Sequence, residues 1–87
     1  MTMNRKKLLR KLAQGNLQNV AFGDMMNMAE GFGFRPVRVS GSHHILARPG
    51  VSELVNLQEV RGEAKAYQIR QFLRLVEKYD LRLEDET

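Results

Sequence analysis

Cysteine is absent from the 87 residues, which excludes a disulfide framework and any thiolate metal site. No apolar run approaches the roughly 18–20 residues that a membrane-spanning helix needs. The first twelve residues are basic and amphipathic, without the continuous apolar stretch of a signal peptide. A cytoplasmic protein with no membrane partner is therefore expected. Acidic residues are missing from the first 23 positions, which carry Arg5, Lys6, Lys7, Arg10 and Lys11. Internal repeats and low-complexity segments are lacking too. Histidine is scarce: the only two are neighbours, His43 and His44, in "SGSHHILARP". That string resembles the remnant of a purification tag, but it lies mid-chain and runs into the apolar pair Ile45-Leu46, so it belongs to the fold.

What is present suits one globular domain. Hydrophobic residues make up 43% of the chain, enough for a modest core and too many for a disordered chain. The formal net charge is +4, and acids gather late, at Glu77, Asp80, Glu84, Asp85 and Glu86. A basic surface favours a polyanion, most often nucleic acid, although an ordinary solvated surface carries the same charge.

Asn4 is placed to cap a helix over residues 5–14, with Leu8, Leu9 and Leu12 as its apolar stripe and Gly15-Asn16 as its stop. Residues 17–22 give no clean period and read as a connector, in part extended. A second helix is expected from Gly23-Asp24, where Asp24 meets the positive helix end. Its buried face is Met25, Met28, Ala29 and Phe32, spaced i, i+3, i+4, i+7. The methionines read as adaptable core filler and not as a cofactor site. Gly31 and Gly33 end that helix. "FRPVRV" is an edge strand, because Pro36 has no N–H to give a neighbour. Ser40-Gly41 turns the chain into a return strand, His43 to Arg48, and Pro49-Gly50 turns it again into a third strand, Glu53 to Gln58. Residues 61–64 read as a loop. A last helix, about Lys65 to Tyr79, buries Ile69, Phe72, Leu73 and Val76.

The expected fold class is α+β: a two-layer domain with a three-stranded antiparallel meander and its helices on one face. The core order, α-β-β-β-α, is that of double-stranded-RNA-binding domains, with an extra N-terminal helix.

Adjacent strand residues face opposite ways, so His43 and His44 cannot readily hold one metal together. Zinc needs at least three protein ligands besides; no metal and no small-molecule cofactor are expected. One histidine faces the helices and the other faces out, but Ile45 and Leu46 are both apolar, so the pattern does not say which. The inward one is read as an ordinary core histidine. The outward one can give or take a proton near neutral pH, with Arg38 or Arg48 within reach along the hairpin. On a basic protein this points to a phosphodiester. RNA supplies its own nucleophile, the 2′-hydroxyl, so a base and a cation can cleave it without metal.

At this point the residues resemble a known family. Gly41-Ser42-His43, Pro49, a third strand and the helix "KAYQIRQFLRLVEKYDL" are similar to the HicA family of bacterial toxin ribonucleases, over about Phe22 to Leu81. The resemblance implies a double-stranded-RNA-binding-like fold, metal-independent cleavage of mRNA, and a HicB-type antitoxin that covers the active histidine. It implies His43 as the catalytic residue and Lys65 as the basic position before the last helix. Residues 1–87 would then be a single HicA-like domain: 1–20 a helical extension, 21–82 the core and 83–87 a frayed acidic tail. Departures are Ala47-Arg48-Pro49, where many members have a basic residue or a histidine pair, and Glu63 and Ala66, where a basic residue and a proline are frequent.

The candidate site is therefore His43 as general acid or base, with Ser42, Arg38, Arg48 and Lys65 binding RNA phosphate. For each cation the plain alternative is a solvated surface charge. The N-terminal basic helix would add salt-dependent attraction. Two other functions compete: a non-catalytic RNA-binding module, or a decayed toxin, of the same fold; and an interaction protein whose sheet edge pairs with a partner. A DNA-binding helix-turn-helix fits poorly, because "NLQNVAF" is too long for its turn.

Overall fold

The computed structural model describes residues 4–83 and contains three helices and four strands: α1 (Arg5–Ala13), α2 (Phe22–Gly31), β1 (Arg35–Ser40), β2 (His43–Arg48), β3 (Val51–Val60), β4 (Glu63–Ala64) and α3 (Ala66–Lys78). The α+β class stands. The sheet is antiparallel throughout, in the order β1-β2-β3-β4.

Helix α1 starts where its sequence says it should. The Asn4 side chain accepts hydrogen bonds from the backbone N–H of Lys6 (2.9 Å) and Lys7 (3.2 Å), satisfying two of the donors that a helix start leaves over. Leu8 and Leu12 are fully buried. Residues 1–20, read from the sequence as an extension, are in their described part integral to the core. Leu17 and Val20 are buried with α1, and Arg5 donates to the Asn27 carbonyl (2.9 Å) and side-chain oxygen (2.8 Å) on α2. Gly31 permits this approach: a Cβ there would sit 2.9 Å from Arg5 Cδ and 3.0 Å from Leu83 Cδ2, closer than a side chain allows. Leu83 is itself buried, so the chain stays packed through the first residue of the expected tail. The rest of that tail, 84–87, lies outside the described residues.

The expected meander gains a strand. β3 extends at both ends beyond the predicted Glu53–Gln58, and the predicted loop 61–64 is instead a tight turn followed by β4. Arg61 and Gly62 both have positive φ, 53° and 80°, the pattern of a type I′ hairpin turn. An arginine in the first position is unusual for that turn, which is why the sequence does not announce it. The connector before α2 is partly extended, as read: Ala21 bridges to Glu63, and Ala64 N–H donates to the Val20 carbonyl (2.9 Å). β1 is the edge strand, with a register shift between Pro36 and Arg38, as a proline without a donor requires.

The core lies between one sheet face and the helices. Along β3, Val51, Val55 and Leu57 are buried while Ser52, Leu54 and Asn56 are exposed, so the strand's alternation assigns one face to the core. Phe72 of α3 stands edge-on to Phe32 and Phe34, at 5.7 and 5.5 Å between ring centres. One buried polar side chain joins this core: Gln68 of α3, 2% exposed. Its Oε1 accepts the backbone N–H of Gln58 at 2.6 Å. That N–H faces the side where β4 has already ended at Ala64. The side chain thus replaces the missing strand and pairs this donor.

Candidate functional site

The loop from β1 to β2 has two residues, Gly41 and Ser42, between the paired Ser40 and His43. Gly41 has φ 61° and Ser42 is not among the positive-φ residues, the pattern of a type II′ turn, which wants glycine first. The turn accounts for the glycine. It does not require a histidine at the position after Ser42.

Register resolves which histidine faces where. His44 pairs with Leu57, a fully buried residue, and lies on the core face. Its ring packs against Phe22, 4.7 Å between centres. His44 is therefore the packed histidine. His43 pairs with Gln58 on the opposite face and is half-buried. His43 Nδ1 lies 3.3 Å from Asn56 Oδ1. A carboxamide oxygen only accepts, so where this contact is a hydrogen bond Nδ1 is its donor, and Nε2 is the nitrogen left clear of it.

A chain of polar contacts runs from Ser42, the neighbour of this histidine, to the start of α3. Gln58 Nε2 donates to Ser42 Oγ (3.3 Å), and Lys65 Nζ donates to Gln58 Oε1 (3.4 Å). The backbone adds a clamp, with Glu59 N–H donating to the Ser42 carbonyl (3.0 Å). Ser42, His43 and Lys65 are thus brought together through Gln58. Arg38 pairs with Ile45, on the face that carries His43. It is exposed and makes no hydrogen bond or ion pair among the described residues.

Arg48 is not brought to this cluster. It stands at the other end of β2, about 16 Å away at the usual strand rise. Its guanidinium donates to the carbonyls of Phe32 (2.7 Å) and Pro49 (2.8 Å), so it fastens the end of α2 to the sheet. Asn56, Gln58 and Gln68 are the members that sequence reasoning missed. An isolated amide in a strand carries no pattern of its own. Gln68 beside Ile69, inside the apolar stripe of α3, was the one visible signal.

Among the described residues, no three potential metal ligands converge, and no helix is long and apolar enough to cross a membrane. A cavity of about 400 Å³ is lined by Leu9, Phe32, Val76, Leu81, Arg82 and Leu83. It is mainly apolar and contains no member of the histidine cluster.

A second polar group ties the end of α3 to the start of β3. Glu53 accepts from Lys78 Nζ (2.6 Å) and from the Tyr79 hydroxyl, and Ser52 Oγ also donates to it (3.1 Å). The Lys78 hydrogen bond, then that of Tyr79, hold the Glu53 carboxyl at about 2, below its ordinary 4.5; Glu53 in turn raises Lys78. A carboxylate with a depressed folded-state pKa stabilises the fold above its unfolded value and loses that effect as it protonates. The melting temperature of wild type should therefore exceed that of Glu53→Gln above pH about 4.5, and the gap should close as pH falls toward about 2. A gap that does not change with pH would mean the contact is not ionic.

No family model, curated protein or solved structure matches this chain. The reading of the site therefore rests on its own chemistry: a half-exposed imidazole with one nitrogen oriented by an amide, a hydroxyl and an ammonium linked through Gln58, and a free guanidinium on the neighbouring strand.

Proposed function

We propose that the protein is a metal-independent endoribonuclease of the HicA toxin type, acting on mRNA with His43 as its general acid–base. One observation carries the reading: the histidine that follows Gly41-Ser42 is the outward one, oriented by Asn56, while its neighbour is packed against Phe22. In the proposed reaction, His43 Nε2 takes the proton of a 2′-hydroxyl as that oxygen attacks the adjacent phosphorus. The bond to the 5′-oxygen breaks, and that oxygen takes a proton from solvent while His43 later releases its own to solvent, leaving a 2′,3′-cyclic phosphate and a 5′-hydroxyl. Lys65 and Arg38 offset the charge that develops on the phosphoryl oxygens. Arg48 has no part in this step. The order α2-β1-β2-β3-α3 suits a double-stranded-RNA-binding-like scaffold, with α1 and β4 as additions. A HicB-type antitoxin would cover His43, and the unpaired edge of β1, where Val37 and Val39 are exposed, offers such a partner a place to add a strand. Cleavage of mRNA places the protein in the cytoplasm.

The test is RNA cleavage in excess EDTA, with a matched oligomer lacking the 2′-hydroxyl at the cut position. Cutting of RNA alone, with cyclic-phosphate ends, supports the proposal; equal cutting of both oligomers, or 5′-phosphate ends, overturns it. A second reading, a non-catalytic RNA-binding module or decayed toxin, is favoured by one feature: among the described residues, no second acid or base is hydrogen-bonded to His43. It predicts RNA binding with no cutting.

A further inference from the structure

Tyr67 is the second residue of α3 and belongs to neither the core nor the contacts described for the histidine cluster. Half of its surface, 50%, is exposed. The ring is not isolated: Lys65 Nζ, which bonds Gln58, stands 5.4 Å from its centre. The cation thus joins an exposed aromatic face to the chain Lys65–Gln58–Ser42 beside His43. From Tyr67, positions i+3 and i+7 on the same helix face are Arg70 and Arg74. Both are exposed, and neither makes a hydrogen bond or ion pair among the described residues. Lys78 continues the stripe but is held by Glu53.

An aromatic face flanked by unpaired guanidinium groups matches a nucleic-acid strand whose bases are open. In a duplex the base faces are already stacked on each other and cannot reach a side chain, whereas an unpaired base can stack on a ring while cations follow its backbone. We infer that Tyr67 is a stacking platform for an unpaired base next to the His43 cluster, with Arg70 and Arg74 holding the adjoining phosphates, so that the substrate class is single-stranded RNA. This rests on the reading of the site as one that takes RNA, and it sets that substrate apart from the duplex that the scaffold's order suggests.

The chain has two tyrosines, Tyr67 and Tyr79, and no tryptophan, so the part of the emission change that Tyr67→Phe removes reports on Tyr67. The whole protein is titrated with a single-stranded 2′-O-methyl RNA oligomer, which cannot be cut through its 2′-position, and with the same oligomer annealed to its complement. The single strand should bind more tightly than the duplex and quench emission. Tyr67→Phe should bind with wild-type affinity while most of the quenching disappears. Tyr67→Ala should weaken single-strand binding roughly 5- to 100-fold, the range of one stacked base, and leave duplex binding unchanged. Arg70→Gln and Arg74→Gln should each reduce the salt dependence of binding. Both tyrosine variants alter an exposed side chain, and their melting curves verify the fold.

Wild-type affinity in Tyr67→Ala, or duplex binding as tight as single-strand binding, overturns the inference. Binding of neither RNA form overturns it too, and leaves the stripe to an acidic protein partner. Because the oligomer is not cut, failure of the nuclease reading is separately visible: single-strand binding through Tyr67 with no cleavage of ordinary RNA would refute the catalytic proposal and keep this one.

Discussion

His43→Ala is expected to lower the RNA cleavage rate by about two to four orders of magnitude, the usual contribution of a positioned general acid–base, with little change in melting temperature. His43 is on the open sheet face and its one side-chain hydrogen bond among the described residues is a 3.3 Å approach to Asn56, so its removal costs the fold little. His44→Ala should do the reverse. It removes a ring packed 4.7 Å from Phe22 on the core face, costing about 0.5–1.5 kcal/mol from the aromatic pair while leaving the cleavage rate within a few-fold of wild type. The two neighbours thus separate chemistry from packing. Equal rate losses in both variants, tracking their stability, would refute the assignment, as would full cleavage by His43→Ala.

Phe72→Ala should have the largest effect on stability, about 3–5 kcal/mol. Phe72 is 1% exposed and stands at the centre of three rings, between α3, the end of α2 and the start of β1. Truncation removes both edge-to-face contacts and leaves a void lined by Phe32 and Phe34 that rigid strands cannot close. A domain of this size has a total stability of about 5–10 kcal/mol, so the loss takes a large share of it. At about 4–8 °C per kcal/mol, the melting temperature should fall by at least about 12 °C, and the urea midpoint should fall with it. A loss below about 1 kcal/mol would show that the three rings are not the centre of the core.

The three helices and the first hairpin were legible because their signals are local. Asn4 announces a cap, Met25, Met28, Ala29 and Phe32 announce a buried face, and Pro36 announces an edge. β4 was not legible, because two residues are too few for an alternating pattern and Arg61 is not a residue that signals a type I′ turn. The packing of α1 into the core was half-visible in its leucines; the sequence does not show that Arg5 reaches Asn27. In the site, Gly41-Ser42 and the pair His43-His44 stood out, but only register could say which histidine faced out, since Ile45 and Leu46 mask the alternation. Arg48 was grouped with His43 for its charge and its strand, although the strand's length takes it to the opposite end. Asn56 and Gln58 needed the β2–β3 pairing before they meant anything.

The Gln68 side chain, by taking the Gln58 N–H, makes the order of the His43 end of the sheet depend on a helix. If α3 lifts, Gln58 loses its backbone partner, and with it the residue that links Ser42 to Lys65. The amide of Gln58 should therefore exchange with solvent as slowly as the deepest amides of the core.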